Sequence, residues 1–172
     1  SAGFGFGSHG PSPQLSQLVN DLLATDSNRP ESWAAAAMYW ESRGESARAL
    51  GYAERALRLD SLHTAAHVIK GQLCLRLKRA DAAVGAFKQA LALRPSMRCY
   101  AGLVAGYLLS HRHKEALAAA KEALRLMPDS PHALALLGDV HGKQPEGSGG
   151  GGGADRARRA YEAALALDPS AA

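Results

Sequence analysis

Cysteine occurs only twice in the 172 residues, at Cys74 and Cys99, and the two share no CxxC spacing. Two thiols cannot close a zinc-stapled module or a disulfide framework, so the expectation is a pair of reduced, structural cysteines inside an intracellular protein. Aromatic residues make up 6% of the chain, leaving alanine and leucine to build most of any core. No apolar run approaches the roughly 18 to 20 residues of a membrane-spanning helix, and no membrane partner is expected. The opening SAGFGFGSHGPSP has neither the basic start nor the apolar core of a secretory signal, and no initiator methionine precedes it. It reads as the beginning of a piece cut from a longer protein. Charge of one sign is not concentrated anywhere. The net charge of +4 comes from basic residues spread singly, with Arg158 and Arg159 the only adjacent arginines. A nucleic-acid binder usually gathers such charge on one face or tail, so no nucleic-acid partner is expected either.

What the chain does have is repetition. RALRLDSL (55–62), QALALRPS (89–96), EALRLMPD (122–129) and AALALDPS (163–170) are variants of one phrase, and their starts lie 34, 33 and 41 residues apart. A period in that range marks a stack of helical pairs. Aligned on these phrases, the units run 30–63, 64–96, 97–130 and 131–171, with a helix-like stretch at 14–28 that resembles the second half of a truncated upstream unit. Residues 1–13 read as a disordered Gly/Phe-rich start, and a glycine-rich insertion at about 144–153 reads as a flexible surface loop.

Within each unit, apolar and small residues recur at positions 4, 7, 8 and 11 and again at 20, 24, 27 and 30. In the second unit these include Gly71, Cys74, Ala83, Phe87 and Ala90, followed by Pro95 as a helix stop. This is the tetratricopeptide spacing, and it predicts an all-α superhelix of antiparallel helix pairs. The small residues permit close helix approach, so a bulky side chain at Ala83 or Ala116 is expected to overpack by about 1 to 3 kcal/mol. Ser61 replaces the proline stop in the first unit, which weakens that stop without abolishing it.

Catalytic and metal-binding constellations are not found. His111 and His113 lie two apart, where helical side chains diverge, and they fall in the turn of the third unit. His67 and His141 occupy packing positions at the edge of the core. There is no GxSxG, and the glycine insertion carries neither a preceding strand nor a following GK[ST]. The expectation is a protein without enzymatic activity, metal or cofactor.

A superhelix of such pairs offers a concave face lined by first helices, suited to an extended peptide or a partner helix. Its expected lining comprises Met38, Val68, Gln72, Leu75, Arg76, Arg98, Ala105, Leu108 and Leu109. This surface is mainly apolar, with Arg76 and Arg98 as isolated donors. Ala34 and Met38 stand where chaperone-adaptor repeats place the lysine and asparagine that hold a terminal carboxylate, so that clamp is missing.

Several stretches are more particular than the repeat requires: LVNDLLATDSNRPESW (18–33), LKRADAAVGAFKQALALRPSMRCYAGLVAGYL (77–108), KEALAAAKEALRLMPDS (114–130) and ALALLGDVHG (133–142). They resemble the subunit 7 family of the anaphase-promoting complex (cyclosome), in its plant and green-algal form, over residues 18–170. The resemblance implies a non-catalytic scaffold of a cell-cycle ubiquitin ligase, found in nucleus and cytoplasm. The partners it implies are other subunits of the complex, especially related repeat subunits, with a coactivator as a further candidate. It also implies homodimerisation of the longer parent through more N-terminal repeats. The alternative from a different class is a stand-alone peptide-binding adaptor such as a co-chaperone.

Overall fold

A computed structural model of the chain describes residues 13–143 and 152–167. The expected disordered start and most of the glycine insertion lie outside the described residues. Those described form helices α1 (Pro13–Thr25), α2 (Pro30–Ser42), α3 (Ser46–Leu59), α4 (Thr64–Arg76), α5 (Ala80–Leu93), α6 (Met97–Leu109), α7 (His113–Leu126), α8 (Pro131–Gly142) and α9 (Gly153–Leu167).

Several helix ends have a local reason. Pro30 and Pro131 sit in the first turns of α2 and α8, where a missing N–H costs nothing. Ser96 caps α6 by accepting a hydrogen bond from the Cys99 amide at 3.3 Å, and the His63 ring accepts one from Ala66 at the start of α4. After α3 the Asp60 carboxylate accepts the Leu62 amide at 2.9 Å, so a side-chain turn stops the helix where Ser61 replaces the proline.

The turns inside the first three pairs share one geometry. Gly44, Lys78 and His111 all have positive φ (80°, 57° and 57°). The next amide in each case returns to a carbonyl five residues back: Glu45 to Trp40, Arg79 to Cys74 and Arg112 to Tyr107. This is a left-handed cap of the Schellman type. His111 therefore has a backbone role in this turn, and His113 is the first residue of α7.

Helices pack in sequence, and the first helices also touch one another across repeats: α2 on α4, α4 on α6, α6 on α8. The second helices α3, α5 and α7 make no such contacts with each other. A stack that is tighter on one side curves toward it, so α2, α4, α6 and α8 line the concave face.

The core runs continuously through the stack. Ala49, Ala56, Ala83, Ala90, Ala116 and Ala123 are fully buried at the helix crossings. Phe87 is the largest fully buried side chain, and its ring lies against the backbones of two neighbouring helices. A Cβ on Gly71 would come within 2.7 Å of that ring, and one on Gly102 within 2.2 Å. Gly106 faces Val84 in the same way at 2.8 Å. These glycines are required by close approach. Both cysteines are buried and free, and burial pushes the Cys74 thiol up, away from the reactive thiolate.

Candidate functional site

The concave face is held in register by polar contacts between successive first helices. Arg76 of α4 pairs with Glu41 of α2 (Nε to Oε1, 3.4 Å), and Arg98 of α6 donates to Gln72 of α4 (Nη2 to Oε1, 3.2 Å). Arg76 and Arg98, expected from the sequence as isolated donors, thus each have a partner one repeat earlier. The stacking interval of the repeat puts such partners side by side, a proximity that a single sequence does not display. Both arginines remain exposed and retain further N–H donors.

Of the other expected lining residues, Met38 is 57% exposed and Ala105 is exposed, while Gln72, Leu75, Leu108 and Leu109 are half-buried. Val68 is only 9% exposed and packs in the core, so its side chain offers the face little surface. Its helix contacts both α2 and α6, which covers that position from two sides.

Between the N-terminal ends of α6 and α8 the face deepens into a cavity of about 510 Å³. Arg98, Ala101, His132, Ala135 and Asp139 line it at positions the repeat register assigns to the groove, and Met97, Ser130 and Leu136 add to it. Met97 and Ser130 belong to the junctions between units, where a pattern counted within units carries no signal. The cavity gathers Arg98 but leaves Leu108 and Leu109 at the far end of α6, about three turns away.

One wall of the cavity is tied to the helix behind it. Tyr161 of α9 donates its hydroxyl to Asp139 Oδ1 at 2.6 Å, and the Tyr161 ring covers Gly138. Burial and then the Asp139 hydrogen bond push the Tyr161 phenol up to about 12. A mostly apolar hollow with Arg98 and His132 as donors and Asp139 as acceptor suits a protein segment. Among the described residues no three metal-ligating side chains gather.

Residues 35–98 match the family model described as tetratricopeptide repeat. The helix bounds, the stacked pairs and this match agree. Residues 35–98 are tetratricopeptide repeats. Among curated proteins it is 42% identical over 156 residues to anaphase-promoting complex subunit 7 of Arabidopsis thaliana, covering 91% of this chain and 27% of the relative. Subunit 7 of Dictyostelium discoideum is 30% identical over the same length, with 26% of that relative covered. The Hsp70-Hsp90 organizing protein of Triticum aestivum is 36% identical over 102 residues, covering 59% of this chain and 16% of the relative. The repeat chain is thus a relative of anaphase-promoting complex subunit 7, and it spans about a quarter of the length of the subunit 7 relatives from Arabidopsis and Dictyostelium.

Solved structures share its fold at low identity. A chain of the Cut9–Hcn1 hetero-tetramer of the anaphase-promoting complex superposes with TM-score 0.76 at 19% identity, over 92% of this chain and 29% of that one. MamA from Desulfovibrio magneticus gives the same score and identity over 92% and 88%.

Proposed function

We propose that this chain is an assembly module of the anaphase-promoting complex, a non-catalytic scaffold that holds neighbouring repeat subunits and so supports ubiquitination of cell-cycle proteins. The observation that carries this reading is the 42% identity to a subunit 7 over nine-tenths of the chain. The surface that serves it is the concave face of Met38, Gln72, Leu75, Arg76, Arg98, Ala105, Leu108 and Leu109, with the α6–α8 cavity beside Arg98 at one end. Affinity there comes from apolar burial, oriented by Arg98 and Asp139. Homodimerisation of the longer protein, contact with a coactivator and residence in nucleus and cytoplasm belong to the same proposal.

Affinity purification of the tagged longer protein from dividing cells, followed by mass spectrometry, tests it. Recovery of the other subunits in near-stoichiometric amounts is expected, with capture falling when Leu108 or Leu109 is made charged and helix content is unchanged.

The likeness to the wheat organizing protein favours a second reading, a co-chaperone that binds the carboxyl end of a chaperone. Against it, Ala34 is buried and Met38 is a thioether where a cationic clamp would stand. Micromolar binding of a chaperone C-terminal peptide, weakened by Arg76→Ala, would establish that reading instead.

A further inference from the structure

We propose that the hollow between α6 and α8 receives a helix of a neighbouring subunit that carries an acidic residue at i, a large apolar residue at i+4 and a lysine or arginine at i+7. The inference rests on the assembly reading and names the chemistry of the segment that enters the site.

The braces between first helices stop at this interval. Glu41 with Arg76 ties α2 to α4, and Gln72 with Arg98 ties α4 to α6. Among the described residues no side-chain hydrogen bond or ion pair runs from α6 to α8. The register explains the gap. One repeat on from Gln72 and Arg98 stand Ala105 and His132, and an alanine has no group to offer the imidazole. Asp139, the next counterpart of Ala105, turns instead to Tyr161 of α9.

Side-chain volume is also lacking there. α6 and α8 start 34 residues apart (131 − 97), so Arg98, Ala101 and Ala105 on one wall stand opposite His132, Ala135 and Asp139 on the other. In the preceding groove the middle of one wall is Val68, packed in the core. Here both walls carry alanine at the middle, and Ala101, Ala135 and Leu136 are half-buried surfaces of a cavity of about 510 Å³. That volume takes one large side chain and part of the backbone that carries it.

The charges at the lips are uncompensated. Arg98 gives one N–H to the neutral amide of Gln72, and Asp139 accepts from the neutral phenol of Tyr161. Neither is in an ion pair among the described residues, and both are exposed. Arg98 keeps further donors and Asp139 a second oxygen. The cationic lip lies in the first turns of α6 and α8, where His132 adds a ring donor. The anionic lip at Asp139 is seven residues further along α8 than His132, two turns or about 10.5 Å.

A helix laid along the groove presents i, i+4 and i+7 on one face over that same distance. Its acidic residue meets Arg98, its apolar residue enters between the alanines, and its basic residue meets Asp139. In this direction the occupant runs parallel to α6 and α8, and its own charges suit its dipole. An extended segment fits less well: residues i and i+4 share a face but span about 13 Å, whereas i and i+3 match the length and point to opposite sides.

The test uses the full chain, isotopically labelled, titrated with a capped alanine-based helical peptide bearing glutamate, leucine and lysine at i, i+4 and i+7 and followed by amide chemical shifts. Saturable shifts centred on α6 and α8 are expected. Affinity should fall at least tenfold when the leucine is alanine, when the glutamate and lysine are exchanged, or when a proline breaks the helix between them. Ala135→Leu fills the hollow from within and should weaken binding tenfold or more. Where that variant does not fold, the exposed double change Arg98→Glu with Asp139→Lys takes its place: it should lose the original peptide and bind the charge-exchanged one. Absence of saturable binding, shifts confined to other faces, retained binding of the proline peptide, or indifference to the variants would overturn the proposal. Recovery of the cyclosome subunits without peptide binding would sink the assigned occupant and leave the assembly reading; peptide binding without those subunits would sink the assembly reading and leave the preference of the hollow.

Discussion

The first and third helix pairs have the same helix bounds and fill the space between helices in opposite ways. In α2 the bulk sits on the first helix: Tyr39 packs with Val19 and Ala36 in a cluster that joins α1 to the stack. Its counterpart in α6 is Gly106, and the counterpart of Ala35 is Gly102. There the bulk comes from the preceding helix α5, whose Phe87 and Val84 press against those glycines. A repeat backbone thus leaves a fixed interhelical volume, and either neighbour can supply the side chain that fills it. The groove within each pair differs too: Tyr52 fills it between two tryptophans in the first, whereas the buried Ala119 stands there in the third.

The strongest way to break this comparison is to remove the bulk from α5. Phe87→Ala should cost about 3 to 5 kcal/mol in chemical denaturation, because the glycine-backed helices cannot close over so large a void. Gly102→Ala should cost about 1 to 3 kcal/mol by overpacking the same ring. Combining it with Phe87→Leu should cost less than the sum of the two single changes, since each relieves the other. An additive double mutant would mean that ring and glycine are not coupled.

The shared turn sharpens the comparison at the next level. Gly44→Ala should destabilise the first pair by about 1 to 2 kcal/mol, the penalty for a Cβ in the left-handed region. His111→Gly, in the equivalent turn of the third pair, should be neutral or stabilising by up to about 1 kcal/mol in thermal unfolding. Equal losses from both would show that the two turns do not share a geometry. Tyr52→Leu keeps an apolar filling while losing two ring contacts, each worth about 0.5 to 1.5 kcal/mol. The corresponding change Ala119→Leu adds bulk at a buried position and should cost about 1 to 3 kcal/mol by overpacking.

A further effect lies in the fourth pair and is read as a pH profile. Tyr161 has its phenol raised from 10.0 to about 12, so between those values the unfolded chain ionises first and stability falls as pH rises. Below pH 10 both states keep the proton and the contribution is fully present. Tyr161→Phe should flatten that decline, and an unchanged alkaline limb of the denaturation midpoint would remove Tyr161 from the account.

Much of this arrangement could be read from the chain alone. The recurrence of small residues at the crossings required close-packed helical pairs, because only alanine or glycine lets two backbones approach there. Most concave positions followed from counting along the first helices, since helical periodicity assigns a face to every residue. Arg98, Ala101 and Asp139 meet in the cavity on that basis. Val68 departed from the count because burial depends on what neighbouring helices cover.

Local periodicity and turn chemistry therefore determined the helices, their pairing and the face that points inward, all of which act over a few residues. Tertiary structure alone decided which side chains meet across repeats. Arg76 finds Glu41, Arg98 finds Gln72, and Tyr161 finds Asp139 through contacts 35, 26 and 22 residues apart (76 − 41, 98 − 72, 161 − 139). It also decided that Phe87 would fill the space opposite Gly71 and Gly102. The physical reason is that a pattern specifies where a side chain points, while the volume and charge it meets there are set by another helix.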